Sequence, residues 1–140
     1  MNAVLLVGRI LFAFIFITSG IAHFAKLEAM TGYAKYKKLP AAKLGVLASG
    51  LFFLLGGVYI AIGLWVDLGA LLLAITLILA AVIFQNFWTE TDATARQTAM
   101  MGFNKDLALA GASLILLALV ASGNLTDFGP HVGSISFFNK

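Results

Sequence analysis

Four stretches of this chain are nearly free of charge, and polar segments separate them. The first runs from Ala3 to Ala25 and is broken by Arg9. The second runs from Leu44 to Trp65, and a short turn, Trp65-Val66-Asp67-Leu68, leads into the third, Gly69 to Trp88. The fourth, Asp106 to Ala121, is the shortest and suffices only with its flanks. About 18 or more mainly apolar residues are enough to cross a bilayer as a helix. The pattern therefore predicts an all-α fold: a polytopic membrane protein built as a four-transmembrane-helix bundle, with spans near 3–25, 44–65, 69–88 and 106–121 of one domain, 1–140.

The second run carries Gly45, Ser49, Gly50, Gly56, Gly57, Ala61 and Gly63. In water this much glycine argues against a helix. In lipid every backbone group must be paired within the segment, so the helix stands and the small residues let neighbouring backbones approach. Gly57-x-x-x-Ala61 and Gly45-x-x-x-Ser49 fit that use, as do Ala70, Ala74 and Ala80 in the third run. The first long loop, Lys26 to Lys43, places Leu27, Met30 and Tyr33 at three-residue spacing with Tyr36 beyond. It reads either as an interfacial helix with tyrosines at headgroup level or as a solvated basic loop. The second, Thr89 to Asn104, reads as a polar loop, and Asn104 as the N-cap of the fourth helix with Asp106 in its first turn. The tail, Ser122 to Lys140, holds turn residues and then a partly apolar segment.

Composition agrees with this layout. Of 140 residues, 61% are hydrophobic and 11% charged, too few polar groups to coat a soluble domain. There is no cysteine, which excludes disulfides, thiol exchange by this chain and cysteine-ligated metal centres. The net charge of +3 does not point to nucleic acid, because the lysines gather in one loop between apolar runs. A bilayer with anionic headgroups explains them better. Met1 to Gly8 lacks a positive leader segment, so cleavage after the first run is not expected. Asn124-Leu125-Thr126 spells a glycosylation acceptor, a tripeptide too common by chance to carry weight. With four spans both long loops share one side, and that side holds Lys26, Lys35, Lys37, Lys38, Lys43, Arg96 and Lys105. Lys140 and Arg9 belong to the other. The positive-inside rule puts the loops in the cytoplasm and the termini outside.

Ionisable groups inside spans are the candidates for chemistry, since burial costs several kcal/mol unless they are paired. Arg9 lies about two turns into the first helix, and Asp67 is the expected partner for an intramembrane ion pair, with Asp127 on the same side. At the opposite end the spans bring together a polar cluster of His23, Lys26, Gln85, Asn86, Trp88, Lys105 and Asp106. A histidine beside a lysine and a carboxylate can move protons or grip a polar headgroup. The competing reading is interfacial capping, with Trp88, Tyr33 and Tyr36 as belt residues. No catalytic residue is assigned and no metal site is expected, since His23 and His131 fall on opposite sides.

The chain resembles the DoxX family of small four-helix bacterial membrane proteins. Gly8-Arg9 followed by Phe16-Ile17-Thr18-Ser19-Gly20 resembles the family's first helix, and Thr31 to Pro40 its tyrosine-rich loop. Phe87-Trp88, Phe103-Asn104-Lys105-Asp106-Leu107-Ala108-Leu109-Ala110-Gly111 and the Gly129-Pro130 to Ser136 tail resemble later family segments. Three positions depart from the family pattern: Phe53 where a glutamate is frequent, Gln85 where a histidine is, and Asp106 where an asparagine follows the lysine. The resemblance implies residence in a bacterial inner membrane and a role as a noncatalytic subunit or scaffold of a redox-linked membrane complex, partnered by other membrane or peripheral redox proteins. The alternative is an enzyme or binder, a membrane oxidoreductase component that takes a quinone or other small lipophilic molecule between helices near His23, Trp88 and Lys105. No other cofactor is expected, and self-association is left open. A transporter is disfavoured by the few charges within four short spans.

Overall fold

A computed structural model describes residues 1–125 and 127–139. Thr126 of the acceptor tripeptide and Lys140 of the topology count lie outside the described residues. The elements in chain order are α1 (Asn2–Ala25), α2 (Leu27–Tyr36), α3 (Ala42–Ile62), α4 (Val66–Ile83), a 3-10 turn (Phe87–Thr89) and α5 (Ala93–Ala121). Helices α1, α3, α4 and α5 are long and apolar enough to cross a membrane. The all-helical, four-span architecture read from the hydropathy pattern is the one observed.

Helix α1 packs on α3, α3 on α4 and α4 on α5, while α2 lies against α3. Side chains of α1 and α5 meet in a common core of Phe16, Phe53, Ile60, Val66, Leu73, Leu77, Ala110 and Val120. Among the described residues the backbones of α1 and α5 make no close approach, so the four spans form an arc closed by side chains. Glycine brings α3 and α4 together: a Cβ on Gly56 would sit 2.6 Å from Leu73 Cγ and 3.0 Å from the Gly69 carbonyl. The reversal between them uses Gly63 (φ +75°) and Trp65 (φ +48°), both left-handed. Trp65 is held there by its own N–H donating to the Ser134 carbonyl at 2.8 Å and by edge contacts with Tyr59 and Phe137.

Two expectations are corrected. The segment 93–104 is helix, not loop: α5 starts at Ala93, and its N-cap is Asp92, whose carboxylate accepts from Ala95 N–H at 2.9 Å. Asn104 and Asp106 therefore lie inside a helix of 29 residues. At about 1.5 Å per residue that helix is roughly 43 Å long, more than a hydrocarbon core of about 30 Å requires. The first loop contains a helix, α2, whose Leu27, Met30 and buried Ala34 pack against Ala42, Val46 and Phe84.

The tail folds back over the end of the bundle that holds Arg9. Val132 N–H donates to the Ile62 carbonyl and Val66 N–H to the Ile135 carbonyl, at 2.9 and 2.7 Å. Phe128 and Ile135 are buried in the core.

Candidate functional site

The intramembrane charges divide between the two ends. Arg9 and Asp67 share one end but do not pair. Arg9 is buried and spends its guanidinium on backbone carbonyls: Nε donates to Ile60 at 3.1 Å, Nη2 to Ala61 at 2.7 Å, and Nη1 to Phe128 at 2.8 Å and to Pro130. The Ile60 and Ala61 carbonyls close α3, where unsatisfied oxygens and the negative end of the helix dipole attract a cation. Its guanidinium carbon also lies 5.1 Å from the Phe128 ring centroid. Asp67 is fully buried and accepts from Ser136 Oγ at 2.6 Å, from the N–H groups of Phe137 and Phe138 at 2.6 and 3.1 Å, and from Leu68 N–H at 2.9 Å. The expected ion pair is replaced by two clamps on the tail, one cationic on its carbonyls and one anionic on its N–H groups. Asp127 accepts locally from Gly129 N–H at 3.1 Å.

The opposite end encloses a cavity of about 580 Å³. It is lined by residues of α1, α2, α3, α4 and α5 toward the end of the bundle opposite Arg9. Ser19 and His23 come from α1 and Lys26 from the junction after it; Met30 and Tyr33 from α2; Val46, Ser49 and Phe53 from α3; Thr76, Leu79 and Ala80 from α4; Lys105 and Asp106 from α5. Gln85 follows α4 and completes the polar part. Phe52, Ile75 and Leu79 line it and are also exposed on the outer surface of the bundle, so in a bilayer this rim faces acyl chains.

Of the sequence-predicted cluster, His23, Lys26, Gln85, Lys105 and Asp106 all line this cavity. Asn86 and Trp88 do not: Asn86 binds Lys37, and Trp88 is exposed with its ring edge on Phe87 and Phe103. Asp106 is 7% exposed because it falls on the buried seam of α5, Ala99–Asp106–Ala110–Ser113, at helical spacing. Its neighbour Lys105 is off that seam, with its ammonium 3.9 Å from the carboxylate and its side chain 55% exposed. His23 Nδ1 is 2.6 Å from the Ser19 carbonyl, and its ring meets Phe53 edge-on at 5.5 Å. Gly50 makes room for it, since a Cβ there would stand 2.6 Å from His23 Cβ. Gly102 does the same for Gln85, whose amide carbon would lie 2.5 Å from an added Cβ. Thr76 and Ser49 satisfy their hydroxyls within their own helices, donating to Leu72 and Val46. All three positions where the chain departs from the pattern it resembles, Phe53, Gln85 and Asp106, sit on this one cavity.

Sequence reasoning missed Lys37. Its ammonium donates to Glu90 Oε1 at 2.7 Å and Asn86 Oδ1 at 2.6 Å, and lies over the rings of Tyr33 and Tyr36 at 5.7 and 5.5 Å. Tyr33 donates to the Phe84 carbonyl at 3.0 Å. These bonds fasten α2 to the segment after α4, above the cavity. Burial pulls the Lys37 pKa down, but the hydrogen bond and charge of Glu90, with Tyr33 and Tyr36, outweigh it and leave it raised. In the sequence Lys37 was one lysine among several, and only the fold brings Glu90 to it.

Residues 4–86 match the DoxX family model, a stretch that runs from α1 through α4. No curated protein and no solved structure matches the chain.

Proposed function

This chain belongs to the DoxX family, and we propose that it serves as a component of a redox-linked membrane assembly that holds a small lipophilic molecule of the quinone class in its cavity. The observation that supports this most is the cavity itself. Its volume of about 580 Å³ falls within the range of about 300–1,000 Å³ common for small-molecule sites. Its walls are apolar, its polar groups converge from α1, α5 and the end of α4, and its rim faces lipid. A ring with polar substituents fits the inner end, and an isoprenoid or alkyl tail leaves through the rim between α3 and α4. The chain acts here by binding and positioning. No nucleophile or metal ligand set is assigned to it.

The lysine-rich end faces the cytoplasm and the Arg9 end the opposite side of a bacterial inner membrane, following the distribution of Lys and Arg. A docking role toward redox proteins is favoured by a separate feature: Lys35, Lys38 and Lys43 are exposed around α2. The test of ligand binding is lipid extraction from protein purified in mild detergent. Quinone at near one molecule per chain is expected, and it should fall sharply in Ala80→Phe, which fills the cavity. Equal and negligible quinone in both proteins would reject the reading.

A further inference from the structure

We infer that the cavity selects the hydroxyl-bearing form of its ligand, a hydroquinone or similar phenolic ring, over the oxidised dicarbonyl form. The inference rests on the proposed use of the cavity for a quinone-class molecule and names the state that it holds.

It starts from His23. A backbone carbonyl can only accept a hydrogen bond, so Nδ1, 2.6 Å from the Ser19 oxygen, carries the ring proton. In the neutral ring Nε2 is then a lone-pair acceptor. It has no hydrogen-bond partner among the described residues, and its ring lines the cavity. Phe53 and the close backbone at Gly50 fix the ring in place. Asp106 supplies the second acceptor. It makes no hydrogen bond among the described residues, and the Lys105 ammonium at 3.9 Å is beyond hydrogen-bond reach. As a carboxylate Asp106 only accepts, and when protonated it both donates and accepts, so the discrimination between the two ligand forms rests on His23. Gln85 brings an amide that can donate or accept, held across α5 by the space at Gly102.

The dedicated donors lie elsewhere. Lys26 is exposed and the Lys105 side chain more than half exposed, so both find water or headgroups at the mouth. A benzoquinone offers only carbonyl acceptors and leaves His23 Nε2 without a partner, with the desolvation cost that an unfilled polar group carries. A hydroquinone presents O–H groups to the same atoms. Both lysines at the mouth repel a cationic ligand.

The test uses full-length protein in nanodiscs of phosphatidylcholine. A decyl-substituted benzoquinone and its hydroquinone are titrated separately by equilibrium dialysis without oxygen. The reduced form should bind about tenfold tighter, the equivalent of one hydrogen bond. For a two-electron couple this raises the midpoint potential of the bound ligand by about 30 mV. His23→Phe should remove the preference, bringing the two forms to within about twofold of each other, and His23→Gln should restore part of it. Equal binding of the two forms by the unaltered protein would overturn this inference and leave the cavity's quinone-class role standing. Binding of neither form would overturn both. Tighter binding of decanoate than of either ring would overturn the inference in favour of an anionic amphiphile. Thermal unfolding of each variant checks that it retains the fold, and the comparison of the two forms needs no variant.

Discussion

Arg9→Met is the substitution with the most to reveal about how the bundle is closed. Methionine keeps the length and apolar stem of arginine and removes every donor. Four carbonyls then lose their partner: Ile60, Ala61, Phe128 and Pro130. They are not equal. Pro130 is exposed and takes water instead, whereas Ile60 and Phe128 are buried. An unfilled buried carbonyl costs about 1–3 kcal/mol, and the cation–π contact with Phe128 adds about 1 kcal/mol. Relief from burying a charge offsets part of this. The balance is a loss of about 3–5 kcal/mol. Denaturant unfolding in mixed micelles measures it, and limited proteolysis reads the second consequence, early cleavage between residues 127 and 139. Arg9→Lys retains the charge but lacks the planar fork, and should recover less than half of the loss. A methionine variant within about 1 kcal/mol of the parent, with its tail equally protected, would refute the view that Arg9 secures the tail.

Asp67→Asn should cost about 2–4 kcal/mol, because an amide donor replaces one of two oxygens that between them serve four donors; proteolysis and unfolding together check it. Gly56→Val should part α3 from α4 and lower stability by about 1–3 kcal/mol, since its Cβ meets Leu73 and the Gly69 backbone; unfolding in the same micelles measures it. Asp106→Asn should stay within about 1 kcal/mol of the parent in stability, as its carboxylate makes no hydrogen bond among the described residues; a large loss would make the pairing with Lys105 structural. The raised Lys37 pKa gives a pH signature. Its contribution is complete below the ordinary lysine value of about 10.4 and is lost as pH rises through the higher folded value. Hydrogen exchange of α2 should therefore be insensitive to Lys37→Met substitution only at pH above that range.

The spans were legible because a bilayer imposes one demand, a long run of paired backbone under an apolar surface, that hydropathy reports directly. The start of α5 was not. Residues 93–104 alternate small, polar and apolar groups, so averaging along the chain hides a helix whose one buried face, through Ala99 and Asp106, is narrow. Reading Asn104 as a cap followed from that, and it concealed Asp106 as a seam position. His23, Gln85 and Lys105 could be grouped because polar residues at the same ends of successive spans must share a layer. Residue types alone pair Arg9 with Asp67, because opposite charges attract in a low dielectric. The groups that win are backbone carbonyls of the α3 end and the tail, and N–H groups of the tail and of Leu68, and nothing in a residue alphabet marks them.

The Arg9 clamp also imposes an order on biogenesis. Its acceptors lie 51 and 52 residues downstream in α3, and 119 and 121 residues downstream in the tail. When α1 first reaches the bilayer the guanidinium has none of them. Arrival of the α3 end supplies two, and the others come only after α5 has crossed and residues 128–130 have emerged on the same side. The full set of partners for this side chain therefore exists only once synthesis has passed the last span. A chain that stops before residue 128 leaves the Arg9 guanidinium with only the two α3 carbonyls for partners.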